Sequence, residues 1–264
     1  MNEHIDNEAA IHGRQWETLH GGYFADPAVA GPLVETVWQA MAECEPDVIV
    51  DLGGGTGFLL SQLAAQCTGV RLVNFDCSDA QLAVAGQAGI LCLRGSVPEF
   101  RRSDAAPDSE RMLLMMRSVL HYFGEHGLGP ALSHLRSQAK GGERFVHQTA
   151  CFEAEQGAAC LNALYHKMRT GKSYPTAGQL HTHLTDAGWR PADAASERAG
   201  TQPAPPLELT SRDLARRYGL SPGDVARIRA EMSEQFGQIP GVFELQPGAF
   251  TAWLHYRIWS CTAV

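Results

Sequence analysis

Val48-Ile-Val-Asp-Leu-Gly-Gly-Gly-Thr-Gly57 is a short apolar run, rich in β-branched residues, that breaks into a glycine cluster. Behind it, Leu59, Leu60 and Leu63 recur at helical spacing between Phe58 and Gln66. The pattern is strand, glycine turn, helix. Gly53, Gly55 and Gly57 carry no side chain to hold a ligand away from the backbone, and they allow the positive φ of a tight turn. A strand before such a turn and a helix after it predict a nucleotide-type ligand lying against the main chain.

Working outward, the same alternation continues. Arg71 to Phe75 reads as a strand, Asp79 to Gly86 as a helix and Ile90 to Leu93 as a strand. Met112 to Met116 is a continuous apolar run, followed by a helical stretch around Leu128 to Gln138, a stop at Lys140-Gly-Gly142 and an extended segment from Arg144 to Gln148. Apolar strands separated by helices predict an α/β fold with a doubly wound, mostly parallel sheet covered on both faces. Ahead of this core, helical spacing from Ala9 to Cys44 stops before Pro46. After it come a helix from Glu153 to Met168, a loop over Gly171 to Pro175 and a helix from Thr176 to Ala187. Prolines 203, 205 and 206 mark a boundary, two short helices follow within Ser211 to Phe236, and Phe250 to Cys261 alternates as a closing strand would. The expected organisation is a helical N-terminal cap over 1–45, a ligand-binding α/β core over 46–200, an inserted helical lid over 201–247 and a final core strand over 248–264.

Composition narrows the function. The 264 residues are 44% hydrophobic and 19% charged, which suits a globular chain with a sizeable core. A formal charge of −8 repels a phosphate backbone, so no nucleic-acid partner is expected. No apolar stretch approaches the roughly 20 residues that cross a bilayer, and the N-terminus has no basic region followed by an apolar run. We therefore expect no membrane association and a cytoplasmic location. Seven cysteines without a C-x-x-C pair fit neither a disulfide framework nor a zinc ribbon, and read as small buried apolar residues.

Two ligand classes compete for the glycine turn. A dinucleotide fold favours G-x-G-x-x-G, but counting from Gly53 the third glycine is replaced by Phe58. Asp51 at the mouth of the turn would repel a pyrophosphate and suits a ligand bearing an ammonium group. Asp76, at the end of the next strand, can accept both ribose hydroxyls in either class. A ribose acceptor, a bare loop and an ammonium-facing acid are all met by S-adenosylmethionine, a nucleoside without phosphate.

At these residues the chain resembles the class I S-adenosylmethionine-dependent methyltransferases of the small-molecule type, over roughly Pro46 to Trp189 and the terminal strand. The resemblance rests on Val48 to Gly57, on Asn74-Phe-Asp-Cys-Ser78 around the ribose acid, on Arg94-Gly-Ser96 and on Arg117-Ser-Val-Leu-His-Tyr-Phe123. It implies a Rossmann-like sheet and cofactor contacts at Asp51, Gly53, Gly55, Gly57, Asp76 and Cys77. It further implies that Ser96 and Val97 frame the adenine and that Arg117, Ser118, His121 and Tyr122 line the sulfonium. Met-Met-Arg-Ser stands where an Asn/Asp-Pro-Pro-aromatic box would serve amino-group methylation of bases or glutamine, and no Pro-Cys nucleophile is present. A small-molecule acceptor is the consequence.

Methyl transfer needs alignment of donor and acceptor and, for a protonated nucleophile, a base. His121 is the base candidate, since imidazole titrates near neutrality. Of the neighbours His147 and Gln148, strand alternation lets one face the cleft, and Gln148 is assigned that place as a second catalytic candidate. Tyr165, Tyr174 and Tyr256, with His255, could wall a cationic centre, and Tyr23 with Trp16 could close over the site. His181 and His183, two apart on a helix, face different ways with no carboxylate to complete a triad, so no metal is expected. Arg212, Arg216, Arg217, Arg227 and Arg229 alternate with acids and read as a solvated helix face. The expected activity is methyl transfer to a small molecule. Aminocarboxypropyl transfer or cyclisation releasing methylthioadenosine, a nicotinamide-dependent oxidoreductase and a non-catalytic cofactor-binding protein are the alternatives, and a homodimer is left open.

Overall fold

The computed structural model describes residues 22–64, 66–192 and 204–264. A short turn at 22–25 leads into α1 (Pro27–Cys44), β1 (Val48–Leu52), α2 (Phe58–Ala64), β2 (Arg71–Asp76), α3 (Asp79–Gln87) and β3 (Leu91–Arg94). The chain continues through α4 (Arg102–Ala105), β4 (Met112–Arg117), α5 (Gly124–Gln138), β5 (Arg144–Ala150), α6 (Glu155–Lys167) and α7 (Ala177–Asp186). Then come β6 (Trp189–Pro191), β7 (Leu207–Thr210), α8 (Ser211–Tyr218), α9 (Pro222–Phe236), β8 (Phe243–Gln246), β9 (Ala249–Leu254) and β10 (Tyr256–Ala263).

Seven strands form one sheet in the order β3-β2-β1-β4-β5-β10-β6. Only β10 runs against its neighbours β5 and β6. The central strands β1 and β4 are buried along their whole length, as their unbroken apolar runs require. Alternation along β1 sends Val48, Val50 and Leu52 toward α5 and α7, and Ile49 toward α1 and α2. The strand order reverses between β1 and β4. The carboxyl ends of these strands therefore open a crevice there, and the glycine turn stands at its edge.

α1 starts on Asp26, whose side chain accepts from the Ala28 N–H, with Pro27 in the first turn. Its buried face, Ala30, Leu33, Val37 and Ala40, packs on Ile49, Leu113, Met115 and Val146. The segment expected as a cap is thus, from Pro27 on, one of the layers covering the sheet, and among its described residues it is Phe24 in the preceding turn that reaches the crevice. Trp16 lies outside the described residues.

The chain after residue 201 differs more from expectation. It is not wholly helical: β7, β9 and β8 make a second, antiparallel sheet, with α8 and α9 packed beside it. The expected closing strand is two strands. β9 belongs to the second sheet and β10 to the first, with His255 alone between them, so the boundary expected at residue 248 falls inside the second sheet. β6 is also an element that the sequence reading left unassigned. Of the seven cysteines, all of them free thiols, Cys67, Cys151, Cys160 and Cys261 are buried and the rest half-buried.

Candidate active site

Asn74 and Asp76, on one face of β2, tie the glycine turn in place. Asn74 Nδ2 donates to the Gly55 carbonyl at 2.7 Å, and the Gly55 N–H donates to Asp76 Oδ2 at 2.9 Å. The Ser78 N–H donates to Asp76 Oδ1 at 2.8 Å. These amides favour the ionised carboxylate, but burial outweighs them and raises the Asp76 pKa. Gly53, Gly55 and Gly57 all take positive φ, as their spacing predicts. Gly57 departs from its expected role. A side chain there would meet Ile90 and Ala85, so it lets α2 approach α3 and does not line the cleft.

Asp51, at the end of β1, is fully buried. Neither carboxylate oxygen has a hydrogen-bond partner among the described residues. Burial first, and the nearby Asp76 charge second, push its pKa up to about 7, against a smaller opposing effect of Arg117. An orphan carboxyl in such a place is costly unless a cation or donor meets it. Gly54 is what lets Asp51 sit there: a Cβ on residue 54 would lie 2.2 Å from Asn74 Oδ1 and 2.6 Å from Asp51 Oδ2. Gly54→Ala must therefore displace both side chains. We expect it to lower the unfolding free energy by about 1–3 kcal/mol, measured by urea denaturation.

The cleft is bounded by four segments. The turn contributes Gly53 to Gly55, β2 ends in Asp76, Cys77 and Ser78, the bend after β3 brings Gly95, Ser96 and Val97, and the end of β4 brings Arg117, Ser118, Val119 and Tyr122. Asp51 lines it as well, so of the residues expected at the cofactor all but Gly57 and His121 border the cleft. Phe24, Phe58, Leu59, Gln81 and Phe123 also line it and were not singled out from the sequence. The signal for Phe58, Leu59 and Gln81 was their place in the first turns of α2 and α3. Phe24 had none, because it arrives from before α1.

Ser118 holds φ 58, a conformation unusual for a residue with a side chain and frequent at functional sites. Its N–H donates to the Gln148 carbonyl and its Oγ pairs with the Tyr256 hydroxyl at 2.8 Å. Gln148 itself reaches neither cavity. Its Oε1 accepts from Arg117 Nε at 2.9 Å, while Arg117 donates to the Phe24 carbonyl at 3.0 Å. Gln148, expected in the cleft, is thus joined to it through Arg117, whose guanidinium links its side chain to the 22–25 turn. His147 points to the other face, bonded to Thr149 and stacked on Phe145, and burial lowers its pKa to about 3.

A second, narrower cavity shares Phe24, Ser118 and Tyr122 with the cleft. His121 opens onto this cavity and not onto the cleft, its ring stacked on Tyr174 at 5.2 Å. Tyr165, Tyr174 and Tyr256 line it too. Tyr23 does not. It packs on Tyr256 and donates to the Pro205 carbonyl at 2.6 Å. Lys172 Nζ stands over Tyr122, Tyr165 and Tyr218 at 4.8, 5.7 and 5.5 Å, so one of the rings expected to wall a cationic centre already faces a cation of the chain itself. Arg217, read from the sequence as part of a solvated stripe, lines the same cavity.

The sheet order and the crevice at its switch point define a Rossmann-like methyltransferase fold. Among solved structures, YcgJ from Bacillus subtilis superposes with a TM-score of 0.63 at 13% identity, over 88% of this chain and 98% of that one. Magnesium protoporphyrin IX methyltransferase from Synechocystis, determined with bound S-adenosylhomocysteine, gives 0.55 at 13% identity over 98% and 94%. Geranyl diphosphate C-methyltransferase from Streptomyces coelicolor, in complex with magnesium, geranyl-S-thiolodiphosphate and S-adenosylhomocysteine, gives 0.50 at 13% identity over 89% and 76%. No protein-family model and no curated protein sequence matches the chain. At this identity the likeness is one of fold.

Proposed function

We propose that this protein binds S-adenosylmethionine in the cleft and transfers its methyl group to a small molecule. The observation that carries this reading is Asp51, a buried carboxylate with no hydrogen-bond partner among the described residues, beside a bare glycine turn. It fits an ammonium group and repels a pyrophosphate. Arg117 lines the same cleft and complements the carboxylate of an amino-acid end. Asp76, with both oxygens fixed by backbone donors, keeps lone pairs for ribose hydroxyls, and Gly95 to Val97 give an apolar edge for a base. When bound, the cofactor supplies an electrophilic methyl group. The chain's own work is to orient it and to exclude water, with Phe24 and Tyr122 at the junction where an acceptor would meet it.

Three residues face the acceptor from the narrower cavity: His121 as base, and the hydrogen-bonded Ser118 and Tyr256 as a hydroxyl pair that holds the acceptor. Calorimetry tests the cofactor. S-adenosylhomocysteine is expected to bind with micromolar or tighter affinity and NAD to give no heat; the reverse result rejects the reading. Product analysis tests the reaction, because release of methylthioadenosine in place of S-adenosylhomocysteine would move the chemistry to another carbon of the sulfonium.

A further inference from the structure

Aromatic rings gather at the narrower cavity. The chain is 8% Phe, Trp and Tyr, yet Phe24, His121, Tyr122, Tyr165, Tyr174 and Tyr256 make up most of the cavity's described lining. The other two of the chain's six tyrosines adjoin it: Tyr23 packs on Tyr256, and Tyr218 meets Tyr165 edge-on. A packed core cluster closes on itself, whereas these rings leave about 280 Å³ of space, its mouth included. That is below the roughly 300–1,000 Å³ of a whole small-molecule pocket, so the cavity takes one end of a ligand, and ring faces and edges on its walls suit a planar ring. The Ser118 and Tyr256 hydroxyls, 2.8 Å apart, spend one of their two protons on the bond between them and keep the other, with lone pairs, for a polar group on that ring.

One wall is built differently from the rest. Phe24, Ser118 and Tyr122 line both the cavity and the cleft. Ser118 and Tyr122 follow directly on β4, whereas Phe24 comes from the turn before α1. Its ring is buried, with Arg117 Nη1 donating to the Phe24 carbonyl at 3.0 Å, the guanidinium 5.3 Å from the ring centre and Tyr256 meeting the ring edge-on at 6.1 Å. One residue of the cleft and one of the cavity thus hold the ring between the two spaces. Resting on the methyl-transfer reading above, we propose that the acceptor presents a planar aromatic ring to this cavity, and that Phe24 is the specificity-determining residue that limits it to a single ring. The side chain of Phe24 is also the part of this partition that can shrink or grow without disturbing a strand.

The test uses three probes, phenol, 4-phenylphenol and cyclohexanol, each titrated by saturation-transfer NMR onto the full-length protein with and without saturating S-adenosylhomocysteine. On the wild type, phenol is expected to bind at least about 10-fold tighter than 4-phenylphenol, whose second ring Phe24 excludes, and at least about 3-fold tighter than cyclohexanol, which has the size without the π face. Phe24→Ala should bring 4-phenylphenol to at least the affinity of phenol, Phe24→Leu should narrow the size preference to under about 3-fold, and Phe24→Trp should weaken phenol by about 10-fold. Thermal unfolding checks that each variant folds, and Phe24→Leu carries the test if Phe24→Ala does not. A merely structural role for Phe24 would lower the melting temperature and leave the ratio of the two phenols alone, which overturns the proposal. So does cyclohexanol matching phenol, 4-phenylphenol matching phenol on the wild type, or no binding of phenol in either state of the cleft. S-adenosylhomocysteine failing to bind while the size preference follows residue 24 rejects the cofactor reading alone, and its binding beside a preference indifferent to residue 24 rejects this proposal alone.

Discussion

Asp51→Asn is expected to weaken S-adenosylhomocysteine binding by about 10- to 100-fold at pH 8, the equivalent of one hydrogen bond to a charged group lost in a buried site. The same substitution should stabilise the protein without ligand. In the fold Asp51 holds its proton up to about pH 7, whereas an unfolded aspartate releases it near 3.8. Between those values the native state binds the extra proton, so this group's contribution to stability falls as pH rises, by at most about 1.4 kcal/mol per pH unit and about 4 kcal/mol in all. Above pH 7 the ligand-free fold buries an unpaired negative charge, which asparagine removes.

His147 works in the opposite sense. Burial holds it neutral down to about pH 3, while the unfolded imidazole takes up a proton near 6.5. Its contribution is therefore present above 6.5 and lost as pH falls. In the wild type the two slopes oppose each other between about pH 4 and 6.5, and the denaturation midpoint should change little there. Asp51→Asn removes one of the opposing slopes, and the midpoint should fall more on acidification than in the wild type. Ligand binding carries the same signature: an ammonium needs the ionised Asp51, so affinity should decline below pH 7 and binding near pH 6 should release a proton. Calorimetry in two buffers of different ionisation enthalpy measures that release. A midpoint and an affinity both indifferent to this substitution would remove Asp51 from the site.

The cleft was legible because its parts are local. Asp51, the turn, Asp76, Ser96 and Arg117 stand at the carboxyl ends of consecutive strands, each announced by an apolar run, and parallel winding brings those ends together. Gly57 shows the limit of spacing alone: it completes the glycine pattern but serves the contact between two helices. The narrower cavity was only half legible. Its tyrosines could be picked out as aromatic candidates, but Lys172, Arg217, Leu207 and Leu254 come from four separate elements with no shared periodicity. The second sheet hid for a related reason. Alternation runs without a break from Phe250 to Cys261, and a period of two is blind to the step at His255 where the chain leaves one sheet for the other.

Glu143→Ala is expected to cost about 3–5 kcal/mol of stability, a large share of the roughly 5–15 kcal/mol typical of a domain. In the sequence Glu143 closes the Lys140-Gly-Gly142 stop and carries no functional signal. In the fold its carboxylate accepts four hydrogen bonds: from Arg102 Nη1 and Nη2 at 2.7 and 2.8 Å, and from the Met112 and Lys140 N–H groups at 2.8 Å each. Both charged side chains are nearly removed from water, at 10% and 5% exposure. Removing the carboxylate strands the guanidinium and two backbone donors at once. Removing both charges strands only the two backbone donors, so Arg102→Met with Glu143→Met should recover the part of the loss that comes from the guanidinium, and the double-mutant cycle from urea denaturation should give a favourable coupling. Met112 is the first residue of β4, whose far end presents Arg117 to the cleft and leads into Ser118, which lines both cavities. A pair at the opposite edge of the sheet thereby fixes the strand that carries the site. If the two single substitutions add without coupling, the register of β4 is held by its apolar neighbours and not by this ion pair.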